Sequence, residues 1–379
     1  LPQKNYIFAP GPVTVPPDVL AATARPVIHH RSPDFDPIFR RVSEDLKVPF
    51  ATSCPVVITA SSGTGAFEMA LTSTASPGDT VISIEGGKFG QRWGLMAQAF
   101  GLQAVRYEHE WGTAPDVEKV ADLLKLHPHA KALYVSLCET SAGTLAPVKE
   151  IAALTRNTDT VLIVDAVSGL AADELRTDEW GVDMVVSGSQ KALMLPPGLG
   201  FVSVSDKARK AVESNKCPQF YFSLKKALKS LGENTTPFTP AVNLIFGLEV
   251  ALQRLKTEGM DNVWARHANL AEGCRRAMIA CRCDLFSKSP ANTVTTVSVP
   301  AGVEGGKVAK ILREKHGMII AGGQDHLKGK IFRFACLGWY NEYDAITIID
   351  AVEKTLSELG HRFDRGAGVK AALDYFQQA

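Results

Sequence analysis

Between residues 55 and 205 the sequence repeats one alternation: a short apolar run, a turn, then a helical pattern. The runs are PVVITA (55–60), TVISIE (80–85), AVRYE (104–108), ALYVSL (132–137), TVLIVD (160–165), DMVVSG (183–188) and LGFVSVS (199–205). Amphipathic stretches such as AFEMALTSTA and DVEKVADLLKLH lie between most of them. Runs that are apolar throughout belong in a sheet covered on both faces, and the intervening helices supply the cover. The expected fold class is therefore α/β, with a mostly parallel sheet.

Ahead of this region, FAPGPVTVPPDVL (8–20) is rich in proline and is expected to be extended. Behind it, TPAVNLIFGLEVALQRLKTEG (239–259) reads as a long helix leading out of the sheet. A second helix follows, with Trp264, His267, Ala271, Cys274 and Met278 at helical spacing. The remainder reads strand, helix, strand, strand, helix: TVTTVSVP, KVAKILREKHG, MIIAGG, KIFRFACL and AITIIDAVEKTLSELG. This gives an N-terminal arm (1–16), a large domain (17–256) and a smaller α+β domain (257–379).

The 379 residues can bury a sizeable core. With 41 basic and 40 acidic side chains the net charge is +1, which favours neither nucleic acid nor a membrane surface and points to small-molecule chemistry. The seven cysteines are scattered, with no CxxC pair and no zinc-type spacing, so no metal site is expected. A reducing, cytoplasmic setting is expected. No apolar run has the length of a membrane span, and the start lacks the pattern of a signal peptide.

Four features fall at strand ends, where open α/β sheets place their ligands. ITASSGTGAFEMAL runs strand, then Ser61-Ser62-Gly63-Thr64-Gly65, then helix. Such a junction suits an anion such as phosphate, because free N–H groups and the helix dipole face the same way. It is a poor dinucleotide fingerprint, since Glu68 stands where a third glycine belongs, and it lacks the Gly-Lys-Ser/Thr of a P-loop. A tight turn with a helix cap explains the same residues. Asp165 ends the very apolar VLIVD, where its ionised form needs a partner. Lys191 follows the next apolar strand, inside SGSQK and ahead of Pro196-Pro197-Gly198. A lysine held there is a candidate desolvated amine, able to form Schiff bases. Arg333 alternates with Phe332 and Phe334 in KIFRFACL, where a guanidinium could grip a carboxylate in bidentate fashion or face water from an edge strand. Phosphate cradle, acidic strand end and amine loop occur in the order expected for pyridoxal phosphate.

Through APGPVTVP, HHRSPDF, ASSGTGAFE, GKFGQRWG, ETSAGTLAP, VDAVSGLA, SGSQKALMLPPGLGFVSVS, NTTPFTPAVNL and AGGQDHLKGKIFR, the chain resembles the class V pyridoxal-phosphate aminotransferases. Within them it is most similar to the alanine/serine–glyoxylate (serine–pyruvate) group. The resemblance implies fold type I, with a seven-stranded sheet in the large domain, and transfer of an amino group from a small amino acid to a 2-oxo acid. By position it implies Lys191 as the Schiff-base lysine and proton shuttle, Asp165 on the pyridine nitrogen and Val167 on the ring face. Ser62, Gly63, Thr64 and Gln190 are implied to hold the phosphate, and Thr140 to approach the ring hydroxyl or Asp165. Thr239, with Thr236, is implied to reach the phosphate of the neighbouring subunit, hence a homodimer with shared sites. Arg333 is implied to bind the substrate carboxylate, helped by the backbone at Gly11.

Three positions depart from the family's pattern. Phe89 stands where many relatives carry a stacking tryptophan, Thr236 where some carry a tyrosine, and Cys336 where bacterial relatives often carry a histidine. A single placed arginine favours small monocarboxylic substrates, with Arg31 in HHRS as a possible second cation. Three rivals share the fold. A cysteine desulfurase needs a reactive thiol on a mobile loop and typically a histidine before the lysine, where Gln190 stands. A phosphonate aminotransferase and a non-catalytic scaffold complete the alternatives.

Overall fold

Each apolar run of the first half forms a strand in the computed structural model, which describes residues 5–378. The strands are β1 (Val56–Ala60), β2 (Thr80–Glu85), β3 (Gln103–Glu108), β4 (Ala132–Ser136), β5 (Val161–Asp165), β6 (Met184–Gly188) and β7 (Leu199–Val204). They make one seven-stranded sheet in the order β1-β7-β6-β5-β4-β2-β3. Strand β7 pairs antiparallel with both β1 and β6, while the remaining pairs are parallel. All strands but β7 therefore end at one edge of the sheet, and the chemistry-bearing turns gather there.

Both faces of the sheet are covered. Along β5, Leu162 and Val164 enter one apolar cluster while Val161 and Ile163 enter the other, as the pleat requires. On the second face, helix α1 (Gly63–Thr74) and helix α2 (Lys88–Ala99) lie against the sheet. Phe67 of α1, Trp93 of α2 and Tyr134 of β4 form a buried stack, with centroids 4.4 and 4.5 Å apart and planes within 8° and 4° of parallel. Offset-stacked aromatics add to their burial energy. This stack fixes the two helices whose N-termini border the site.

Two long helices, α3 (Val242–Glu258) and α4 (Met260–Ala280), lead to an antiparallel sheet of β8 (Thr295–Ser298), β9 (Ala321–Gly322) and β10 (Ile331–Phe334), with β10 in the centre. Helices α5 (Glu342–Glu358) and α6 (Ala367–Phe376) follow. Two expectations need correction. MIIAGG is not one strand: Met318–Ile319 pairs in parallel with Tyr6–Ile7 of the arm, and only Ala321–Gly322 joins β10. The arm is not extended to residue 20, because a helix spans Pro17–Thr23 with proline in its first turn, where a missing N–H is harmless. The first four residues of the arm lie outside the described residues. No helix among the described residues is long and apolar enough to cross a membrane.

Candidate active site

The turn after β1 builds the first wall of the site. Ser62 is extended (φ −88°, ψ 173°) and its side chain makes no cap. The N–H groups of Gly63 and Thr64 at the start of α1 therefore have neither an intrahelical nor a side-chain partner, while those of Gly65 and Ala66 bond to the Ser62 carbonyl. Glycine is required at 63, where a Cβ would lie 2.5 Å from Val167 Cγ2. That contact brings the start of α1 against the turn that follows β5.

The ends of β5 and β6 supply the charged pair. Asp165 is buried, and its carboxylate accepts from Ser136 Oγ (3.1 Å) and from the Val167 N–H (2.9 Å). Ser136 is its register partner on β4. Burial raises the Asp165 carboxyl to about 7. Lys191 stands three residues past β6 and is also buried, with its Nζ donating to the Pro10 carbonyl of the arm. Burial draws its amine down to about 8, against the opposing pull of Cys138 and Asp165. An amine so placed is a usable nucleophile and base near neutral pH.

Both groups face a cavity of about 290 Å³, close to the lower end of small-molecule sites at about 300 Å³. The same cavity is lined by Gly11, Ser62, Gly63, Thr64, Phe89, Thr140, Val167 and Gln190. The fold thus brings together most of the residues singled out in the sequence. Arg333 does not line it but stands behind it, buried on β10. Its Nε and Nη2 donate to the Gly322 carbonyl (3.0 and 2.7 Å), and Nη1 donates to the Thr140 carbonyl (2.5 Å). Three of its five N–H groups are used, leaving two for a ligand. Its partners are carbonyls rather than carboxylates, and it does not face water as an edge-strand arginine would.

Thr236 and Thr239 lie elsewhere. They line a separate crevice with Tyr221 and Phe238, and the Thr236 hydroxyl donates to the Phe238 carbonyl (2.7 Å). Arg31 is exposed and outside the cavity lining. Cys336 is buried against Cys274, also outside the lining. Thr140 bonds through its hydroxyl to Ser168 (2.6 Å) rather than to Asp165.

Two residues escaped the sequence reading. Arg92, one helical turn after Phe89, lines the cavity and donates to Thr64 Oγ1 (2.9 Å). Glu139 is buried, and its Oε2 accepts the N–H groups of Phe89 (3.1 Å) and Gly90 (2.8 Å), while Oε1 accepts from the Ser141 N–H (3.0 Å) and Oγ (2.5 Å). Gly87 has no side chain to cap α2, so a carboxylate about fifty residues on does so. No local pattern announces a cap delivered from so far along the chain.

A pyridoxal phosphate fits this donor set. The amine of Lys191 and the carboxylate of Asp165 flank the cavity, and its walls are apolar at Phe89 and Val167. The α1 N-terminus and two hydroxyls provide for an anion. Gln190 Oε1 is buried with no partner in the described structure, and rotation of the amide would present its NH₂ instead. Among the described residues, no group of three or more His, Cys, Asp or Glu side chains is gathered as a metal-ligand set.

The sequence pattern described as aminotransferase class-V matches residues 6–347. Over 379 residues the chain is 40% identical to a Synechococcus sp. protein called soluble hydrogenase, small subunit, with 98% of each chain covered. It is 35% identical to the serine–glyoxylate aminotransferase of Methylorubrum extorquens, covering 100% of this chain and 97% of that one. The crystal structure of pyridoxamine–pyruvate aminotransferase from Mesorhizobium loti superposes with a TM-score of 0.94 at 28% identity, covering 100% of this chain and 98% of that one. Fold, cavity and sequence agree on an aminotransferase: the chain belongs to the class-V aminotransferase family.

Proposed function

We propose that this aminotransferase uses pyridoxal 5'-phosphate to move the amino group of alanine or serine to glyoxylate or pyruvate, in two half-reactions that alternate on one site. The observation that carries the reading is the meeting of a buried amine, Lys191, and a buried carboxylate, Asp165, in one small cavity at neighbouring strand ends. The bound cofactor supplies an aldehyde that takes up amino groups and a ring that draws electrons from the substrate's α-carbon.

The residues divide the remaining work. Ser62, Gly63, Thr64 and Gln190 hold the phosphate. Asp165, ionised, holds a proton at the ring nitrogen, and Val167 and Phe89 pack on the ring, with Thr140 near its hydroxyl. Lys191 would anchor the cofactor, and its amine, when free and neutral, would be the base that moves the α-proton. Arg333 binds the substrate carboxylate through its two remaining N–H groups, beside the Gly11 backbone. With Arg31 exposed and outside the cavity, and Arg92 tied to Thr64 of the phosphate cradle, Arg333 alone is left to take a carboxylate, which suits a monocarboxylate.

The assembly belongs to the same reading. Phe220 is 74% exposed and Tyr221, 42% exposed, stacks on Phe238 at 5.0 Å. So large an aromatic patch beside Thr236 and Thr239 favours a homodimer in which Thr239, with Thr236, serves the neighbouring cavity. The large domain (17–256) carries this chain's cofactor residues, and the small domain (257–379) carries Arg333. All seven cysteines are free thiols, in keeping with a reducing, cytoplasmic setting. Cys281, Cys283 and Cys336 are buried, which disfavours the thiol chemistry of a desulfurase.

The visible absorption of the purified protein tests the proposal. A cofactor band that bleaches with L-alanine or L-serine and returns with glyoxylate or pyruvate is expected. A band indifferent to both donors would move the reaction to another branch of the family.

A further inference from the structure

The four residues assigned to the phosphate share one property: none carries a charge. Ser62, Thr64 and Gln190 are neutral side chains, and Gly63 offers only its backbone. A helix N-terminus contributes about half a positive charge, against a phosphate group that carries nearly two negative charges at neutral pH. Lys191 is committed to the aldehyde end. The cavity wall holds one more cation, Arg92.

Arg92 lies on α2, half-buried, and its Nη1 donates to the hydroxyl of Thr64 (2.9 Å), a member of the phosphate cradle. Its guanidinium stands 5.0 Å from the centroid of the Phe89 ring. No carboxylate lies within ion-pair distance of it among the described residues, although most arginines of the chain have one. A partly desolvated guanidinium with four of its five N–H groups unengaged, tied to the cradle and in direct ion pair with no carboxylate, is poised for an anion. Its charge also acts on Asp165 across the cavity. The position is rigid, because the next residue, Trp93, is clamped between Phe67 and Tyr134.

We propose that Arg92 is the charge partner of the cofactor's phosphate, reaching it beside Thr64, while its contact with the Phe89 ring is secondary. The proposal rests on reading the cavity as a pyridoxal-phosphate site.

The test compares two ligands on the cofactor-free protein: pyridoxal 5'-phosphate, and pyridoxal, which lacks the phosphate. Binding is followed by absorbance in the parent, Arg92→Gln and Arg92→Lys proteins. Arg92→Gln is expected to weaken pyridoxal phosphate by about tenfold or more and to leave pyridoxal unchanged. Arg92→Lys, which keeps the charge and loses the fork, is expected to stay within about threefold of the parent. Equal weakening of both ligands would assign Arg92 to the Phe89 ring or to the fold and overturn the proposal. So would unchanged binding of pyridoxal phosphate, or an Arg92→Lys protein as weak as Arg92→Gln. A parent that binds neither ligand would instead overturn the cofactor reading itself.

Discussion

The side-chain amine of Lys191 donates to the carbonyl of Pro10, 181 residues earlier in the chain. The arm thus closes the cavity directly over the amine. Gly11 follows with φ +125°, and a Cβ there would lie 2.5 to 2.7 Å from Cδ, Cε and Nζ of Lys191. Neither the backbone angle nor the space admits a side chain.

Gly11→Ala should therefore displace Lys191 while leaving the sheet intact. Turnover is expected to fall by about a hundredfold, since a misplacement of about 1 Å has that effect. Circular dichroism should be unchanged, and steady-state kinetics with L-alanine and glyoxylate would check the rate. An active Gly11→Ala enzyme would mean that the arm does not position the amine.

Burial of Lys191 should also destabilise the cofactor-free protein. Its amine ordinarily titrates at 10.5 and is drawn down to about 8 by burial. Below pH 8 both folded and unfolded chains carry the proton, and the folded one bears the full penalty, roughly 3 kcal/mol. Between pH 8 and 10.5 the unfolded chain binds more protons, so stability rises with pH and the penalty fades. Lys191→Met should accordingly be more stable than the parent at pH 7, with the difference shrinking toward pH 10.5. Urea unfolding of the two cofactor-free proteins at both pH values measures this, and a gap independent of pH would refute it.

The sequence disclosed this site unevenly, for a physical reason. The strand ends were legible because apolar runs have a period and the turns after them carry distinctive residues, as at Asp165 and Lys191. What stayed hidden were contacts made across the fold. Glu139 caps α2 from another strand, Arg92 gains its meaning only from Thr64, and the Pro10 carbonyl meets Lys191 through the path of the arm. Helix α6 was missed too, since GVKAALDYF is too short for a periodic signal, and its start is held by a residue of the preceding helix.

Arg333 offers a sharper test of substrate binding. The Gly322 and Thr140 carbonyls orient its guanidinium, so the fork can be removed with the charge kept and without emptying a packed core position. Arg333→Lys should keep the cofactor's affinity and raise the KM for L-alanine about tenfold or more, because the fork that grips a carboxylate is lost. The kcat at saturation should change less. A variant with parental KM would place the substrate carboxylate elsewhere.

The last prediction concerns the C-terminal helix. Glu353 of α5 is fully buried, and its carboxylate accepts the N–H groups of Gly366 (2.6 Å), Gly368 (2.7 Å) and Val369 (3.0 Å). These are the cap and first turn of α6, which has no side-chain cap of its own. The carboxylate thus serves α6 as Glu139 serves α2, by charge-assisted hydrogen bonds to a helix N-terminus. Glu353→Gln replaces one acceptor oxygen by a donor and leaves buried N–H groups unpaired, a loss of about 1–3 kcal/mol. The melting temperature should fall, and limited proteolysis should release α6 before the rest of the chain. Glu353 lies outside the cavity lining, so turnover at 25 °C should match the parent. Glu139→Gln should also cost stability, since its carboxylate accepts the N–H groups of Phe89 and Gly90, and should in addition change the circular dichroism of the bound cofactor through Phe89. If both variants altered the cofactor signal equally, the two caps could not be acting locally.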